Sequence, residues 1–173
     1  MLIREHVEQD FAEMLCVINA AAQAYRGVIP DDRWHEPYMP ERELLDEIRN
    51  GIVFWVAEEA SLLGVMGIQD KGAVALVRHA YVAPQEQRKG VGVSLLRHVQ
   101  KLTEKPILIG TWADASWAID FYRGNGFTVV PEEDKNKLLR TYWSIPDRQI
   151  ETSVVLADSR WIQVQSGVQA DTP

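Results

Sequence analysis

The chain has 173 residues, 46% of them hydrophobic and 25% charged, so it is long enough for one globular domain with a buried core. Its formal net charge is −7, and its basic residues are interspersed with acidic ones, whereas nucleic-acid binders concentrate basic residues on one face. The N-terminus lacks the apolar core of a secretion signal, and no apolar run reaches the roughly 20 residues that span a bilayer. The single cysteine, Cys16, excludes a disulfide within the chain. We therefore expect a cytoplasmic protein with neither a nucleic-acid nor a membrane partner.

The spacing of apolar residues predicts alternating helices and strands. Helical spacing covers 7–24, 41–50, 90–102, 115–123 and 132–143. Short apolar runs that are typical of strands cover 2–6, 52–57, 62–68, 73–82, 106–112, 127–130 and 152–157. The predicted order is one strand, two helices, three strands and then alternating helices and strands. This order predicts an α/β fold with a mixed sheet that has helices on both faces. We expect a single domain over 1–160 and a polar C-terminal tail over 161–173.

A corner between a strand and a helix, at 81–92, is the most informative stretch. Gly90 and Gly92 open the helix, and without a Cβ they let the backbone approach an anion closely. A helix N-terminus offers unpaired N–H groups and the positive end of the helix dipole, which suit a pyrophosphate, and Arg88 and Lys89 add positive charge. The spacing matches neither the G-x-G-x-x-G dinucleotide fingerprint nor the G-x-x-x-x-G-K-[ST] pattern of phosphate-binding loops. By itself, therefore, the pattern is equally typical of an ordinary glycine-rich helix start.

Two motifs taken together resemble the GNAT superfamily of N-acetyltransferases. Residues 87–92 (QRKGVG) resemble its Q/R-x-x-G-x-G/A signature and follow a strand that ends in Tyr-Val-x-Pro, as in that family. Residues 118–127 (AIDFYRGNGF) resemble its second motif, A-x-x-F-Y-x-x-x-G-F. The resemblance extends over roughly 2–157. It implies a GNAT fold, in which a mixed, mostly antiparallel central sheet is splayed between its fourth and fifth strands, and it implies an acetyl-CoA-dependent N-acetyltransferase.

The resemblance also implies how acetyl-CoA is bound, without a metal. Backbone groups at the end of the fourth strand would pair with the pantetheine amides, and the N–H groups from 88 to 93 would hold the pyrophosphate. Two residues of the second motif would line the pocket near the thiol. The implied cofactor-binding residues are Tyr81, Val82, Gln87, Arg88, Lys89, Gly90, Val91, Gly92, Val93, Ala118 and Phe121.

Tyr122 corresponds to the tyrosine that acts as general acid in the family. Attack of an amine on a thioester expels a thiolate, which a phenol can protonate. The fourth-strand positions that often hold a Glu or His base are Leu76 and Arg78 here, and neither suits that role. His79 is close, although strand alternation places it opposite Arg78 unless a bulge intervenes. Three alternatives therefore remain: His79 is the base, a chain of water molecules removes the proton, or the substrate amine arrives already neutral.

The loop over 25–40 is expected to contact the acceptor, because it is rich in aromatic and charged residues and covers the cleft in the superfamily. The alternative is a surface loop that packs only on itself. The residues assigned to the acceptor side are Tyr25, Arg26, Trp34, His35 and Arg78. Arg78 favours an acceptor with a carboxylate, whereas Asp31 and Asp32 favour a cationic one. We therefore expect a primary amine of a small molecule or peptide and name no acceptor.

Direct attack in a ternary complex is the expected mechanism, since Cys16 is predicted to pack within a helix and no other nucleophile is evident. The main alternative is a non-catalytic CoA-binding sensor or regulatory module, which the missing fourth-strand base allows and Tyr122 opposes. The apolar strand over 152–157 is flanked by Trp143 and Trp161. This apolar strand predicts a homodimer with the strand at or near the interface, because the unpaired backbone groups of an edge strand tend to pair with another chain.

Overall fold

The computed structural model describes the backbone of residues 1–170 and the side chains of residues 1–165. The chain divides into two compact units. Unit 1 contains Met1–Asp70 and Val77–Glu104, and unit 2 contains Lys71–Leu76 and the chain from Lys105 onward. No helix in the described residues is both long and apolar enough to cross a membrane.

Within residues 1–170, seven strands and seven α-helices follow one another in nearly the predicted order. The strands are β1 (Leu2–Glu5), β2 (Ile52–Glu58), β3 (Leu62–Asp70), β4 (Ala75–Val82), β5 (Ile107–Trp112), β6 (Thr128–Val129) and β7 (Ser153–Ala157). The helices are α1 (Phe11–Ala22), α2 (Glu41–Arg49), α3 (Val91–Gln100), α4 (Ser116–Gly124), α5 (Glu132–Tyr142), α6 (Asp147–Glu151) and α7 (Ser159–Ala170).

The strand order is β1-β2-β3-β4-β5-β7-β6. The pairs β1/β2, β2/β3, β5/β7 and β6/β7 are antiparallel, and β4/β5 is parallel. The predicted mixed, mostly antiparallel sheet is thereby confirmed, while the splay between β4 and β5 stays a prediction.

In unit 1, β3 is buried on both faces. Val65 belongs to the same buried cluster as Ile18 of α1. A Cβ at the neighbouring Gly64 would lie 3.1 and 3.2 Å from Val91 and Leu95 of α3. Successive strand residues point to opposite faces, so α1 and α3 cover the two faces of this part of the sheet, as expected. The same Cβ would lie 3.0 Å from Tyr81 O, so the close approach of β4 and α3 favours glycine at position 64.

Helix α1 begins later than the predicted start at 7, because a 3₁₀ turn at Glu8–Asp10 precedes it. The buried Asp10 carboxylate accepts the Val7 N–H at 2.7 Å and two hydrogen bonds from the Arg4 guanidinium, at 2.6 and 2.9 Å. Arg4 also donates to Glu58 at 2.7 Å, which connects β1, β2 and the start of α1. The hydrogen bonds from Arg4 hold the pKa of Asp10 below its usual range, against the opposing effect of burial.

In unit 2, β7 lies between β5 and β6 and hydrogen-bonds to both. Val155, Leu156 and Ala157 have no exposed surface. The prediction that 152–157 forms an edge strand was therefore wrong, because β7 is paired on both sides. The homodimer interface that was inferred from an edge strand loses this argument. The outer strands of the sheet are β1 and β6.

Two helices, α6 and α7, were not predicted. Helix α7 occupies most of the predicted polar tail, 161–173, of which the last three residues lie outside the described residues. Asp158 precedes α7, and its carboxylate accepts the N–H of Trp161 at 3.4 Å and a hydrogen bond from Arg160 at 2.7 Å. An aspartate before the first turn is a typical N-cap, and this signal was overlooked in the sequence.

Candidate active site

The turn between β4 and α3 exposes a run of unpartnered backbone N–H groups. Within the part of the chain that is described, none of the N–H groups from 88 to 93 donates to a protein acceptor, and Ser94 is the first to do so, to Gly90 O at 3.0 Å. Arg88 and Gly90 both have left-handed backbone, with φ of +60° and +87°. Successive N–H groups in such a turn form a concavity that binds anions, at the positive end of the α3 dipole.

The surroundings of the turn leave this concavity open. No atom lies within 4 Å of a Cβ built at Gly90, and the side chain of Arg88 is exposed. Lys89 pairs with Glu86 at 3.1 Å, an exposed contact that a stronger anion can replace. The predicted residues at 87–93 are therefore brought together as a turn whose chemistry fits a pyrophosphate.

Gln87 has a role in the turn that the motif did not predict. Its Nε2 donates to Val82 O at 3.2 Å, so the side chain connects the turn to the last residue of β4. Tyr81, just before it, is 9% exposed, and its carbonyl faces Gly64 of β3. The pairing of Tyr81 and Val82 with pantetheine amides stays a prediction.

The second motif forms helix α4 and its C-terminal turn in unit 2. Ala118, Phe121 and Tyr122 lie three and four residues apart, which places them on one side of the helix. The Tyr122 side chain is buried, at 7% exposure, and its ring meets Phe121 and Phe127 edge-on at centroid distances of 5.0 and 6.0 Å. Asn125 ends the helix by donating to Phe121 O at 2.7 Å. The role of Tyr122 toward the cofactor stays a prediction.

An irregularity in β4 decides where its polar side chains lie. His79 has a left-handed backbone with φ of +52°, which interrupts the alternation of the strand. Arg78 Nη2 and His79 Nε2 consequently lie 3.2 and 3.5 Å from the same oxygen, Oε1 of Glu47 on α2. Arg78 also donates to Gln69 at 3.4 Å, and the His79 ring packs against Phe54 at 5.9 Å.

Glu47 is the candidate residue that sequence reasoning missed. It is only 16% exposed, yet in the sequence it is one of several charges on a polar helix face and has no distinguishing neighbour. The other fourth-strand position, Leu76, is fully buried in unit 2 and carries no acid–base group.

An aromatic cluster joins the 25–40 loop to β4. Tyr38 stacks with Tyr25 at 6.5 Å and with His35 at 6.3 Å, and it contacts Trp34 at 5.7 Å. The ring of Tyr81 meets Tyr25 at 6.4 Å and Tyr38 at 6.1 Å. The loop therefore packs on β4 as well as on itself, and sequence reasoning missed that Tyr81 contributes its ring as well as its backbone.

The loop is anchored at its far end by a reciprocal pair of hydrogen bonds. Asn19 of α1 donates to Met39 O at 2.9 Å and accepts the Met39 N–H at 2.7 Å. Ile29 and Met39 are 2% and 1% exposed. These contacts fix the end of the loop, next to Tyr38, against α1.

Of the five residues assigned to the acceptor side, Tyr25, Trp34 and His35 lie together in the aromatic cluster. Arg26 is exposed outside it, and Arg78 is bound to Glu47 and Gln69. Arg78 is thus already paired with an acidic side chain, which weakens the argument that it binds a carboxylate of the acceptor.

Cys16 departs from its prediction, because it is exposed on α1 instead of packed. Among residues 1–165, no group of three or more His, Cys, Asp or Glu side chains is arranged to hold a metal ion.

The model of the GNAT acetyltransferase domain matches residues 50–129, from the end of α2 to the end of β6. Over this segment, which is somewhat less than half of the chain, the protein is similar to GNAT acetyltransferases. Over 77 residues it is 32% identical to the peptidyl-lysine N-acetyltransferase YiaC of Escherichia coli (strain K12). That alignment covers 44% of this chain and 50% of the relative, so the match spans about half the length of this curated relative.

Solved structures resemble this chain over nearly its whole length. The PaiA N-acetyltransferase of Thermoplasma acidophilum, in complex with coenzyme A, has a TM-score of 0.69 at 20% identity, covering 91% of this chain and 97% of the other. A GNAT-family acetyltransferase of Staphylococcus aureus Mu50 has a TM-score of 0.69 at 16% identity, covering 92% and 98%. At these identities the likeness concerns the fold.

Proposed function

We propose that this protein transfers the acetyl group of acetyl-CoA to a primary amine by direct attack in a ternary complex. The observation that carries the proposal is the run of unpartnered N–H groups from 88 to 93 at the start of α3. A turn with left-handed Arg88 and Gly90 and an open face suits the pyrophosphate of coenzyme A, and it lies in the segment that matches the family model.

The main contribution of the protein to this reaction is to align the amine with the thioester. A neutral amine attacks a thioester readily once both are held in place, and such positioning can lower the barrier by several kcal/mol. We assign Tyr122 as the general acid that protonates the departing thiolate, as its place in the second motif implies. Exposed Cys16 lies outside both motifs, so a covalent acetyl-enzyme has no assigned nucleophile.

The acceptor is proposed to be cationic, with the ammonium group of a lysine side chain or small amine as the leading class. Arg78 is paired with Glu47 at 3.2 Å, while Asp31 of the loop is exposed. Aromatic faces such as those of the loop cluster also attract cations. A peptidyl-lysine acceptor belongs in the first test because the relative YiaC is a peptidyl-lysine N-acetyltransferase.

The proposal is tested with acetyl-CoA and a panel of amines: polyamines, free amino acids, lysine-containing peptides and peptides with free N-termini. Release of the CoA thiol measures turnover, and mass spectrometry of the acceptor identifies the acetylated nitrogen. We expect transfer to at least one cationic amine. If acetyl-CoA neither binds nor supports transfer to any of them, the proposed function is wrong.

The alternative, a CoA-binding sensor, is favoured by one observation: Leu76 and Arg78 leave the usual fourth-strand base positions without an acid–base group. It predicts tight binding of acetyl-CoA without transfer to any amine in the panel. The same assay therefore separates the two functions.

The homodimer is retained as a proposal, now without β7 as its interface. The outer strands β1 and β6 are the sheet edges that a second copy could pair with. Light scattering at micromolar concentration is expected to give twice the chain mass, and a monomer mass would contradict it.

A further inference from the structure

We propose that the contact between His98 of α3 and Trp55 of β2 is acid-sensitive, so that protonation of His98 loosens α3 from the sheet of unit 1. Helix α3 begins at the turn that we place against the pyrophosphate. The same proton therefore weakens the binding of acetyl-CoA, and this second part rests on the proposed function.

Helix α3 is held on one face of β2 and β3 at both of its ends. Near its start, Val91 and Leu95 pack at Gly64 of β3. Near its end, the His98 ring contacts Trp55, with 4.3 Å between ring centroids and 49° between the ring planes. The imidazole is thus part of the surface that holds the last turn of α3 on β2.

Each of the two rings carries a buried nitrogen without a partner. His98 Nε2 and Trp55 Nε1 are both buried, and neither has a hydrogen-bond partner among the described residues. The indole nitrogen is always a donor, whereas the imidazole Nε2 is an acceptor when the neutral ring has its hydrogen on Nδ1. Protonation makes Nε2 a buried donor that shares a positive charge. Burying a charged donor without an acceptor is strongly destabilising.

The charged groups around this contact do not compensate a cation. On α3 they are Lys101, three residues further along the helix, and Arg97, both of which are exposed. On β1, Glu5 is directly opposite Trp55 and so lies on the same face of the sheet, while the residue opposite Trp55 on β3 carries no charge. Glu5 is exposed, and within residues 1–165 it forms no ion pair with His98.

The direction of the pH effect follows from these surroundings. Burial, and to a smaller extent Lys101, lower the pKa of His98 below its usual value of about 6.5, although the C-terminal end of the helix dipole and the indole face both favour a cation. The unfolded chain therefore binds the proton more tightly than the folded chain. Consequently, the contribution of His98 to stability is complete above about pH 6.5 and is lost as the pH falls through the lower pKa of the folded state.

The structure of α3 connects this contact to the proposed phosphate site. Lys101 and Leu102, which follow α3, are exposed, and local opening at such a helix end requires less free energy than global unfolding. Helix α3 has 10 residues, so His98 lies about two turns from the N–H groups at its start. A rigid element of this length transmits a displacement at one end to the other.

His98→Gln is the main variant, because glutamine is a good helix former and has no ionisable nitrogen. His98→Phe is the second variant, since it keeps an aromatic ring against Trp55. Amide hydrogen exchange of the ligand-free protein is compared at about pH 7.5 and 5.5. In the native protein, protection of the α3 amides should fall at least about threefold more than that of α1, which covers the opposite face. In both variants, α3 should lose no more protection than α1, and the same result in the native protein would overturn the inference.

Histidine NMR measures the titration directly, and the His98 signal is assigned by its absence from His98→Gln. We expect a midpoint below about pH 6.5. Lys101→Gln should raise the midpoint, because it removes a neighbouring positive charge. Arg97→Gln makes the same change of charge on an exposed residue of the same helix and is the matched control, which should move the midpoint less. A native midpoint at or above about pH 6.5 would overturn the inference.

The coupling to the cofactor is tested by measuring acetyl-CoA binding at the same two pH values. From pH 7.5 to 5.5, the dissociation constant should increase at least about threefold more in the native protein than in His98→Gln. The comparison between the two proteins cancels the ionisation of the phosphates of the cofactor. Linkage is reciprocal, so saturating acetyl-CoA should lower the midpoint of His98.

The outcomes separate the two proposals. Normal binding at pH 7.5 with equal pH dependence in both proteins would overturn the coupling, while acetyl-CoA binding itself stands. Absence of binding at either pH would instead count against the proposed function. Hydrogen exchange and the histidine titration of the ligand-free protein would still decide whether the contact between His98 and Trp55 is acid-sensitive.

Discussion

The most direct test of the proposed phosphate site is to place a carboxylate at Gly90. Its backbone is left-handed, with φ of +87°, and it precedes the first turn of α3. Gly90→Glu would put a negative charge where we place the pyrophosphate. The same substitution at Gly51 is a matched control, since Gly51 has φ of +88° and, like Gly90, no atom within 4 Å of a Cβ built there.

The expected magnitudes follow from this geometry. A side chain in left-handed backbone costs about 1–2 kcal/mol, and the open space adds no steric clash at either glycine. For a chain of this size, that cost lowers the melting temperature by roughly 2–8 °C in both variants. Acetyl-CoA at 100 times its dissociation constant stabilises the folded state by about 2.7 kcal/mol, which raises the melting temperature by roughly 5–11 °C.

The assay is thermal unfolding with and without acetyl-CoA. Wild type and Gly51→Glu should both show the full ligand-induced increase, whereas Gly90→Glu should show almost none at the same concentration. If folded Gly90→Glu retains most of the increase, the turn does not hold the pyrophosphate and the reasoning from its N–H groups is refuted.

Three further predictions concern the acid, the loop and a structural ion pair. Tyr122→Phe should lower kcat by about 10²–10⁴-fold in steady-state kinetics and leave acetyl-CoA affinity nearly unchanged, because only the proton donor is lost. Replacing Trp34 and His35 together with alanine should raise the acceptor KM or lower kcat, with the acetyl-CoA dissociation constant within about twofold; the two are changed together because loop neighbours need not act additively. Asp10→Asn should lower the free energy of unfolding at pH 7 by about 1–3 kcal/mol, measured by urea denaturation, because charged hydrogen bonds to Arg4 are lost. Since the pKa of Asp10 is lowered on folding, its contribution is present above about pH 3.9 and disappears as pH falls below that value, so the variant should have a flatter acid profile.

Each of these has its own control. Tyr142→Phe, at a partly buried tyrosine that packs against the core of unit 2, should keep full turnover. A loss below about threefold in Tyr122→Phe would assign the proton to another group. Equal losses in acceptor and acetyl-CoA binding would make the loop a support for the fold. Asp46→Asn removes only exposed ion pairs and should change stability by less than about 0.5 kcal/mol; an equally small effect at Asp10 would contradict its assigned role.

The sequence alone determined the parts of this protein that depend on consecutive residues. The binding proposed for the turn at 87–92 uses the backbone of consecutive residues, so the glycines and their spacing carry the information. The motif at 118–127 lies within one helix and its C-terminal turn and is equally local. The order of helices and strands followed from the period of apolar residues, because that period reflects which side chains face the core.

Contacts between distant segments were decided only by the tertiary structure. Glu47 and His79 meet because α2 packs on β2, from which the Glu47 side chain reaches β4, and because the backbone at 79 becomes left-handed. Neither condition can be read from a run of polar helix residues. Tyr81 joins the loop cluster for the same reason, through packing between elements far apart in sequence. The composition of strand β7 fits an edge strand and an interior strand equally well. Its pairing with both β5 and β6, and so its burial, depends on strand order, which local periodicity does not encode.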